Sequence, residues 1–290
     1  MIFLNKIRLA ILKIFRLESF FGLAAFRQGP YKGMVVFTGL KKKDVIRALG
    51  SNWQSESWDY EPEVRKIIEK FCHLGMVVFD VGANIGLHTL MMSKMVGFQG
   101  KVYAFEPNPQ TASLLKETCR VNRLSNVEII EAAISDKDKK ANLLYVFPSD
   151  ADACLETDGA YYFGEHRPLL RSVPVEALSL DSFVKQRKIS RTDFIKIDVQ
   201  GAERNVISGM HEVTSNLRPV FICEFVGEES VAFGKDFFKA RDYYTRELKS
   251  NFFGFKVKEA RALDKISDGP DFWVDMLAVP LEKMSLCGPQ

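Results

Sequence analysis

The sequence predicts an α/β fold in which helices cover both faces of a mostly parallel β-sheet. Short apolar runs, typical of buried strands, alternate with segments whose apolar residues recur at helical spacing. Several of these runs end in an acidic residue, and one leads through a glycine-bearing turn into a helix. Because the carboxyl ends of such strands meet at one edge of the sheet, we expect a ligand site at that edge.

The order of the elements predicts one large domain behind an extension. A basic, amphipathic helical extension is predicted at residues 1–50 and the main domain at 51–290. The main strands are predicted at residues 76–80, 101–106, 127–132, 194–198 and 219–225. Helices are predicted at residues 85–96, 109–121, 181–188, 202–210 and 228–250. Further strands are predicted at residues 141–147 and 171–178, with a closing hairpin at 252–257 and 272–279.

The first motif is the turn after residues 77–80, where Asp80 is followed by Gly82 and Gly86. Gly82 allows a tight turn, and Gly86 allows a close approach of helix and strand. We expect the turn to present unpaired backbone N–H groups to a ligand. A carboxylate at this point repels a pyrophosphate but suits a cation. The motif therefore favours S-adenosylmethionine over NAD.

The second motif is Glu106, which ends the next predicted strand 20 residues after Gly86. In a strand–helix–strand cofactor unit, an acid at this place binds the ribose hydroxyls. Asn108 can cap the following helix, and Pro109 suits its first turn. The simpler alternative is that Asp80 and Glu106 only mark the ends of strands.

Three residues are candidates for catalysis. Asp198, at the end of its strand, could hold the amino group of the cofactor, bind a metal ion or accept a proton from a substrate hydroxyl. Glu224 is a second candidate base, or else a buried acid paired with a lysine or a helix N-terminus. His88 is either a base or substrate contact, or an ordinary polar residue in the first turn of its helix. Glu203 is either a site residue or a helix cap.

Composition narrows the function classes. A net charge of only +3 argues against a dedicated nucleic-acid binder. No two of the five cysteines have a metal-binding or redox spacing, and the four histidines are scattered, so no metal site is predicted. Cysteines without a paired spacing are typical of proteins in a reducing compartment, so the sequence predicts a cytoplasmic protein.

The N-terminal residues 2–17 combine Ile, Leu and Phe with Lys6, Arg8, Lys13 and Arg16 and contain no acid. Three interpretations remain open. The segment is a helix packed on the domain or on a second subunit of a homodimer, a basic amphipathic helix lying on an anionic membrane, or a targeting sequence. No small-residue cleavage site follows an uninterrupted apolar stretch, which argues against a secretory signal.

Residues 79–86, 102–108 and 195–203, in this order and spacing, together resemble the FkbM family of methyltransferases. Residues 177–183 and 219–225 are also similar to that family, and the resemblance extends over about residues 58–280. The first fifty residues lie outside it. Gln200 departs from the pattern, since many members carry Glu there.

The resemblance implies S-adenosylmethionine-dependent O-methylation of a hydroxyl on a sugar, glycan or natural product. It implies a Rossmann-like class I methyltransferase with a doubly wound, mostly parallel seven-stranded sheet and an antiparallel C-terminal strand. Asp80 to Gly86 would hold the methionine part, Glu106 the ribose and residues 133–135 the adenine. The implied cofactor residues are Asp80, Gly82, Ala83, Asn84, Gly86, Glu106, Pro107, Asn108, Ala133, Ile134, Ser135 and Asp198.

Three other functions remain open on the sequence. The chain could methylate a nucleic acid or a protein, although its near-neutral charge disfavours nucleic acid. An NAD-dependent oxidoreductase shares the strand, turn, helix and acid, but the Gly-x-Gly-x-x-Gly pattern is absent. A non-catalytic module could retain the cofactor fold for binding alone.

Overall fold

The computed structural model describes residues 23–26, 31–37, 60–146, 153–156, 170–248 and 273–287. The predictions for residues 2–17 and 252–257 lie outside these ranges. Within the described residues, no helix has the length and apolar character to span a bilayer.

The described strands and helices alternate as the sequence predicts. The strands are β1 (Leu23–Ala25), β2 (Val35–Phe37), β3 (Val77–Val81), β4 (Lys101–Phe105), β5 (Val127–Ile130), β6 (Ala133–Ile134), β7 (Lys139–Val146), β8 (Cys154–Leu155), β9 (Leu170–Leu178), β10 (Phe194–Ile197), β11 (Val220–Val226), β12 (Tyr243–Leu248) and β13 (Trp273–Pro280). The α-helices are α1 (Pro62–Phe71), α2 (Leu87–Val96), α3 (Pro109–Asn122), α4 (Leu180–Arg187), α5 (Glu203–Ser208) and α6 (Glu228–Lys239). A π-helical turn covers Val213–Leu217 and a 3₁₀ helix Leu281–Cys287.

The main sheet has seven strands in the order β12-β13-β11-β10-β3-β4-β5. Its five strands from β11 to β5 run parallel, whereas β13 pairs antiparallel with both β11 and β12. A second sheet has the order β6-β9-β7-β8. The fold prediction, including the antiparallel C-terminal strand, is confirmed.

Alternate residues of the central strands enter two cores, as the pleat of a sheet requires. Val78 and Phe194 pack with α1 and α2 on one face, whereas Phe79 and Ile195 pack with α4, α5 and α6 on the other. Asp80 and Lys196 continue the first face toward the carboxyl edge, where the apolar core ends.

The hairpin of β1 and β2 packs onto the first core. Tyr31, Met34 and Val36 are buried there. The side-chain amide of Asn122 on α3 bonds both the N–H and the carbonyl of Val35, as a neighbouring strand would. The division between residues 1–50 and 51–290 remains a prediction.

The prediction of one helix over residues 228–250 is wrong. Helix α6 ends at Lys239, and Asp242 then turns the chain at φ 57° into β12. The β-branched and aromatic residues that follow favour a strand. Tyr243 is buried against Phe221 and Phe238, so tertiary packing also selects the strand. Strand β12 therefore pairs with β13, where a hairpin partner at residues 252–257 was predicted.

Candidate active site

The turn between β3 and α2 needs both of its glycines. Gly82 has φ 81°, and a Cβ there would overlap the backbone carbonyl of Asp198. Gly86 has φ 95°, and a Cβ there would meet a methyl group of Leu115 at 2.5 Å. Positive φ and close approach both exclude a side chain. The turn is thereby fixed against β10 on one side and α3 on the other.

The N–H groups of this turn are used within the protein, contrary to our prediction. Those of Gly82 and Ala83 donate to the carbonyl of Phe105, and that of Asn84 donates to Glu106 Oε2 at 2.9 Å. A phosphate cradle needs free N–H donors. This turn instead leaves carboxylates as its ligand-binding groups, which suits a cation.

Glu106 is buried and braces the turn. Its Oε2 accepts from Asn84 N and its Oε1 from Asn108 N, both at 2.9 Å. Each carboxylate oxygen has more than one acceptor site, so each can also accept a bond from a ligand hydroxyl.

Asn108 is the N-cap of α3, as predicted, because its Oδ1 accepts from Gln110 N at 3.0 Å. Its buried Nδ2 has no hydrogen-bond partner among the described residues. Pro107, half-buried, connects Asn108 to Glu106. An unpaired amide donor next to Glu106 leaves a place for a polar ligand atom.

Asp80 is fully buried at the end of β3. Its Oδ2 accepts from the Thr89 hydroxyl at 2.6 Å, and its Oδ1 lies 3.9 Å from Lys196 Nζ. Among the described residues Oδ1 accepts no hydrogen bond. A buried carboxylate oxygen of this kind is a place for a cationic donor.

Lys196 was not among the predicted site residues. It is the register partner of Asp80, and its Nζ lies 2.9 Å from Asp198 Oδ2 and 3.5 Å from the Gly82 carbonyl. Burial alone would lower the pKa of Lys196, but the charges of the surrounding carboxylates raise it. A lysine inside the apolar run 194–197 was the signal that could have identified it.

Asp198 and Glu224 come together as predicted, through Gln200. The Gln200 Nε2 donates to Asp198 Oδ1 at 2.9 Å and contacts Glu224 Oε1 at 3.3 Å. An amide can donate to both carboxyl groups, whereas a glutamate would place a further acid beside them and could not donate in its ionised form. The departure from the FkbM pattern at Gln200 therefore has a local physical reason.

Asp275, also missed by the sequence analysis, faces Glu224 across the β11–β13 pairing. Burial raises the pKa of Glu224 to about 10, with further contributions from the charges of Asp198, Asp275 and Glu61. Burial, followed by the charges of Glu61 and Asp198, raises the pKa of Asp275 to about 7. An acid within the apolar run 274–279 was the available signal.

Lys196, Asp198, Glu224 and Asp275 border a small cleft. Half of its eight lining residues are acidic, and three of the others are apolar. It is lined by Glu61, Val64, Lys196, Ile197, Asp198, Ile222, Glu224 and Asp275. Among the described residues, no group of three or more His, Cys, Asp or Glu side chains is arranged to hold a metal ion.

His88 lies behind the cleft, with only 5% of its surface exposed. Its Nε2 is 2.8 Å from Glu61 Oε2, and its ring packs on Tyr60. Burial would raise the pKa of Glu61, but His88, Lys196 and the Tyr60 hydroxyl lower it to about 2. Glu61 lines the cleft, whereas His88 contacts Glu61 from behind.

The remaining predicted residues lie elsewhere. Ala133 and Ile134 form β6 in the second sheet, and Ser135 N donates to the Leu178 carbonyl at 2.8 Å. The role of these residues at the adenine remains a prediction. Buried Glu203 accepts from Gly201 N at 2.7 Å, and burial raises its pKa to about 7. It supports the turn after β10.

The sheet order, the inserted antiparallel strand and the carboxylates around the β3 turn define a class I S-adenosylmethionine-dependent methyltransferase. The family model of the FkbM methyltransferase domain matches residues 80–254, more than half of the chain. The chain therefore belongs to the FkbM methyltransferase family. The predicted resemblance, enzyme class and cofactor are confirmed.

Three curated relatives show the range of the family. The chain is 24% identical over 187 residues to the hexuronic acid methyltransferase AglP of Haloferax volcanii, covering 64% of this chain and 71% of that protein. It is 28% identical to the 31-O-demethyl-FK506 methyltransferase FkbM of Streptomyces tacrolimicus, covering 51% and 67%. It is 26% identical to the 2-O-methyltransferase NoeI of Sinorhizobium fredii, covering 50% and 61%. The chain thus spans 61% to 71% of the length of these relatives.

Proposed function

We propose that the protein is an S-adenosylmethionine-dependent O-methyltransferase that acts on a hydroxyl of a sugar, glycan or other natural product. The observation that carries the proposal is the carboxylate-walled cleft that Asp198 and Lys196 connect to the β3 turn. Carboxylates accept hydrogen bonds from hydroxyls and take up their protons. Two of the three relatives are named for methylation at an oxygen position.

The residues of the cofactor edge fit S-adenosylmethionine, which supplies an electrophilic methyl group on a sulfonium sulfur. We propose that Asp80 holds its positive amino group, because one of its buried oxygens accepts no hydrogen bond from the described residues. Glu106 would accept hydrogen bonds from the ribose hydroxyls, and Asn108 would donate its amide hydrogen, for which the described residues provide no acceptor. The turn at residues 82–86 packs closely against β10 and α3, which fixes the position of these groups. Residues 133–135 would border the adenine.

An acceptor hydroxyl must lose its proton when it is methylated. We propose that Asp198 accepts it, since this carboxylate lines the cleft and is oriented by Lys196 and Gln200. Glu224 retains its own proton at neutral pH and can donate a hydrogen bond to the acceptor. A positive charge bound beside the cluster lowers the pKa of Glu224, which then becomes a second proton acceptor. His88 acts through Glu61 as a positioning residue.

The test is calorimetric titration of the protein with S-adenosylmethionine and, separately, with NADH. We expect binding of S-adenosylmethionine alone. The product of an acceptor screen over hydroxylated sugars and metabolites is then analysed by NMR to locate the methyl group. Methylation at oxygen supports the proposal. Methylation at nitrogen, or binding of NADH in place of S-adenosylmethionine, contradicts it.

We also propose that the protein is cytoplasmic, as its cysteine usage predicts, and that residues 2–17 contact an anionic membrane peripherally; packing of this segment on the second subunit of a homodimer is the alternative. The support is the basic amphipathic pattern of that segment. Replacing Lys6, Arg8, Lys13 and Arg16 by Gln should reduce co-sedimentation with phosphatidylserine vesicles. Equal co-sedimentation of the wild type and this variant would contradict the membrane contact. The molar mass from light scattering tests whether the protein is a dimer.

A further inference from the structure

We propose that Glu61 and Asp275 bind the acceptor, and that together they select an uncharged, hydroxyl-bearing acceptor over an anionic one. This inference rests on the O-methyltransferase function proposed above and concerns the specificity of the same cleft. Both residues lie outside residues 80–254, which the family model matches. Family membership therefore assigns them no role, and their placement has to be explained from this chain.

Glu61 faces the cleft at the expense of its own helix. It is the N-cap of α1, yet its side chain accepts no N–H from the first turn. Its backbone is left-handed, at φ 45° and ψ 65°, a conformation that is strained for a residue with a long side chain. A quarter of the side chain is exposed. The carboxylate thus forgoes the usual capping role and remains accessible from the cleft.

Three side chains fix Glu61 in this position. His88 Nε2 lies 2.8 Å from its Oε2, and the Tyr60 hydroxyl also hydrogen-bonds to it. The Tyr31 hydroxyl, in the N-terminal hairpin, donates to the Tyr60 carbonyl at 3.2 Å. An ordinary surface carboxylate is seldom held by buried side chains, whereas Glu61 is held by His88 on α2 and, through Tyr60, by Tyr31 in the N-terminal hairpin. A group held in advance of binding loses less conformational entropy when it contacts a ligand.

The charge of the cleft disfavours an anion. Its carboxyl groups come from Glu61, Asp198, Glu224 and Asp275, whereas Lys196 is the cationic side chain among the described residues that line it. Lys196 is already paired with Asp198 at 2.9 Å and with Asp80 at 3.9 Å. Glu224 holds its proton at neutral pH, but Glu61 is ionised, so an anionic acceptor would meet negative charge, and the described lining offers it no free counter-ion.

The same lining suits an uncharged polyhydroxyl compound. Hydroxyls donate to carboxylate oxygens, and Glu61 and Asp275 supply such oxygens in the lining of the cleft. Val64 and Ile222 add apolar atoms to the same lining, which suits a compound that carries its hydroxyls on a carbon skeleton. The chain would thus differ in preference from its relative that is named for a hexuronic acid.

The test uses the full chain and pairs of probes that differ only in charge. The uncharged probes are the methyl glycosides of glucose, galactose and mannose. The charged probes are the methyl glycosides of the corresponding uronic acids, which carry a free carboxylate at C6. Binding is measured by saturation-transfer NMR with S-adenosylhomocysteine present, and turnover by formation of S-adenosylhomocysteine from S-adenosylmethionine. We expect the wild type to favour the uncharged member of at least one pair by about tenfold or more. Glu61→Gln, Asp275→Asn and the double variant should reduce that preference by admitting the uronate.

Glu69→Gln is the matched control, because Glu69 is a solvent-exposed acid on the same helix, paired with Arg65. It should leave the preference unchanged. For the uncharged probe, Glu61→Gln should raise KM more than it lowers kcat, without changing the affinity for S-adenosylmethionine. A merely structural role would lower that affinity and the melting temperature together.

Two results overturn the inference. One is equal use of the charged and uncharged probes by the wild type, and the other is a failure of every probe of both kinds to bind. Either result leaves the proposed function standing if S-adenosylmethionine still binds and a methyl group still reaches an oxygen. Loss of cofactor binding, in contrast, refutes the proposed function itself.

Discussion

Two halves of the carboxyl edge of the sheet differ in how their acids are satisfied. In the cofactor half, formed by β3, β4 and their turns, Glu106 accepts backbone N–H groups on both oxygens. In the acceptor half, formed by β10, β11 and β13, Glu224 and Asp275 face each other, and burial together with the charges of nearby acids raises their pKa values. The cofactor half is fixed in shape. The acceptor half is adjustable in charge, as proton transfer requires.

The largest effect should come from making the cofactor half impossible to form. Gly82→Ala should abolish binding of S-adenosylmethionine and destabilise the fold by more than about 3 kcal/mol, because its Cβ would overlap the Asp198 carbonyl. Gly75→Ala is the control, since Gly75 has φ 79° but open space around it, and should lose only about 1–2 kcal/mol. Calorimetry and urea unfolding measure both. Similar losses for the two variants would show that steric overlap is unimportant.

Glu106→Ala should weaken the binding of S-adenosylmethionine by about 10- to 100-fold. The variant removes two charge-assisted hydrogen bonds that brace the turn, each worth about 1.5–3 kcal/mol at most. Glu131→Ala, which removes a half-exposed acid paired with Lys116 near the end of the neighbouring strand, should bind normally. An unchanged dissociation constant for Glu106→Ala would remove Glu106 from the cofactor site.

The acceptor half should reveal itself in the pH dependence of stability. The folded state keeps a proton on Glu224 up to a pKa of about 10, whereas the unfolded chain releases it near 4.5. The folded state therefore binds more protons between these values, and stability falls as the pH rises through this window. Glu224→Gln should flatten the dependence by about 1–2 kcal/mol between pH 6 and pH 9. The measurement is thermal unfolding at several pH values. If stability falls with pH at the same slope for the wild type and for Glu224→Gln, this assignment is contradicted.

The smallest effect is expected at Glu203, which supports the turn between the two halves. Gln retains an acceptor for the Gly201 N–H, so Glu203→Gln should change stability by less than about 1 kcal/mol at pH 5. Between pH values of about 4.5 and 7 the variant should gain relative to the wild type, because the unfolded wild-type chain releases the Glu203 proton in this window while the folded state keeps it. Above a pH of about 7 Glu203 is ionised in both states, and the difference should stay constant. Urea unfolding at pH 5, pH 7 and pH 8 makes the comparison, and a large loss of stability at all three values would contradict it.

The cofactor half was predictable because its functional residues are close together in the sequence. Strand, acid and glycine turn are neighbours in sequence, and Gly82 is required by backbone geometry alone. The acceptor half was only partly predictable. Asp198 and Glu224 end or nearly end apolar strands, but Glu61 and Asp275 join them only through the folded topology.

Two errors have the same origin. The N–H groups of the β3 turn are satisfied by Phe105 and Glu106 on the next strand, and no local pattern shows this. Residues 243–248 are a strand because β13 and the rings of Phe221 and Phe238 surround Tyr243. Local propensity did not distinguish that strand from the end of a helix.

The insertion of β13 between β11 and β12 has a consequence for biosynthesis. Strand β12 joins the main sheet only through β13, whose residues 273–280 leave the ribosome after almost all of the other described elements. During translation, the nascent chain can therefore form the parallel half of the sheet first, while β12 still lacks its partner. Asp275 arrives with β13, so the side chain that faces Glu224 is made after all five strands of the parallel half.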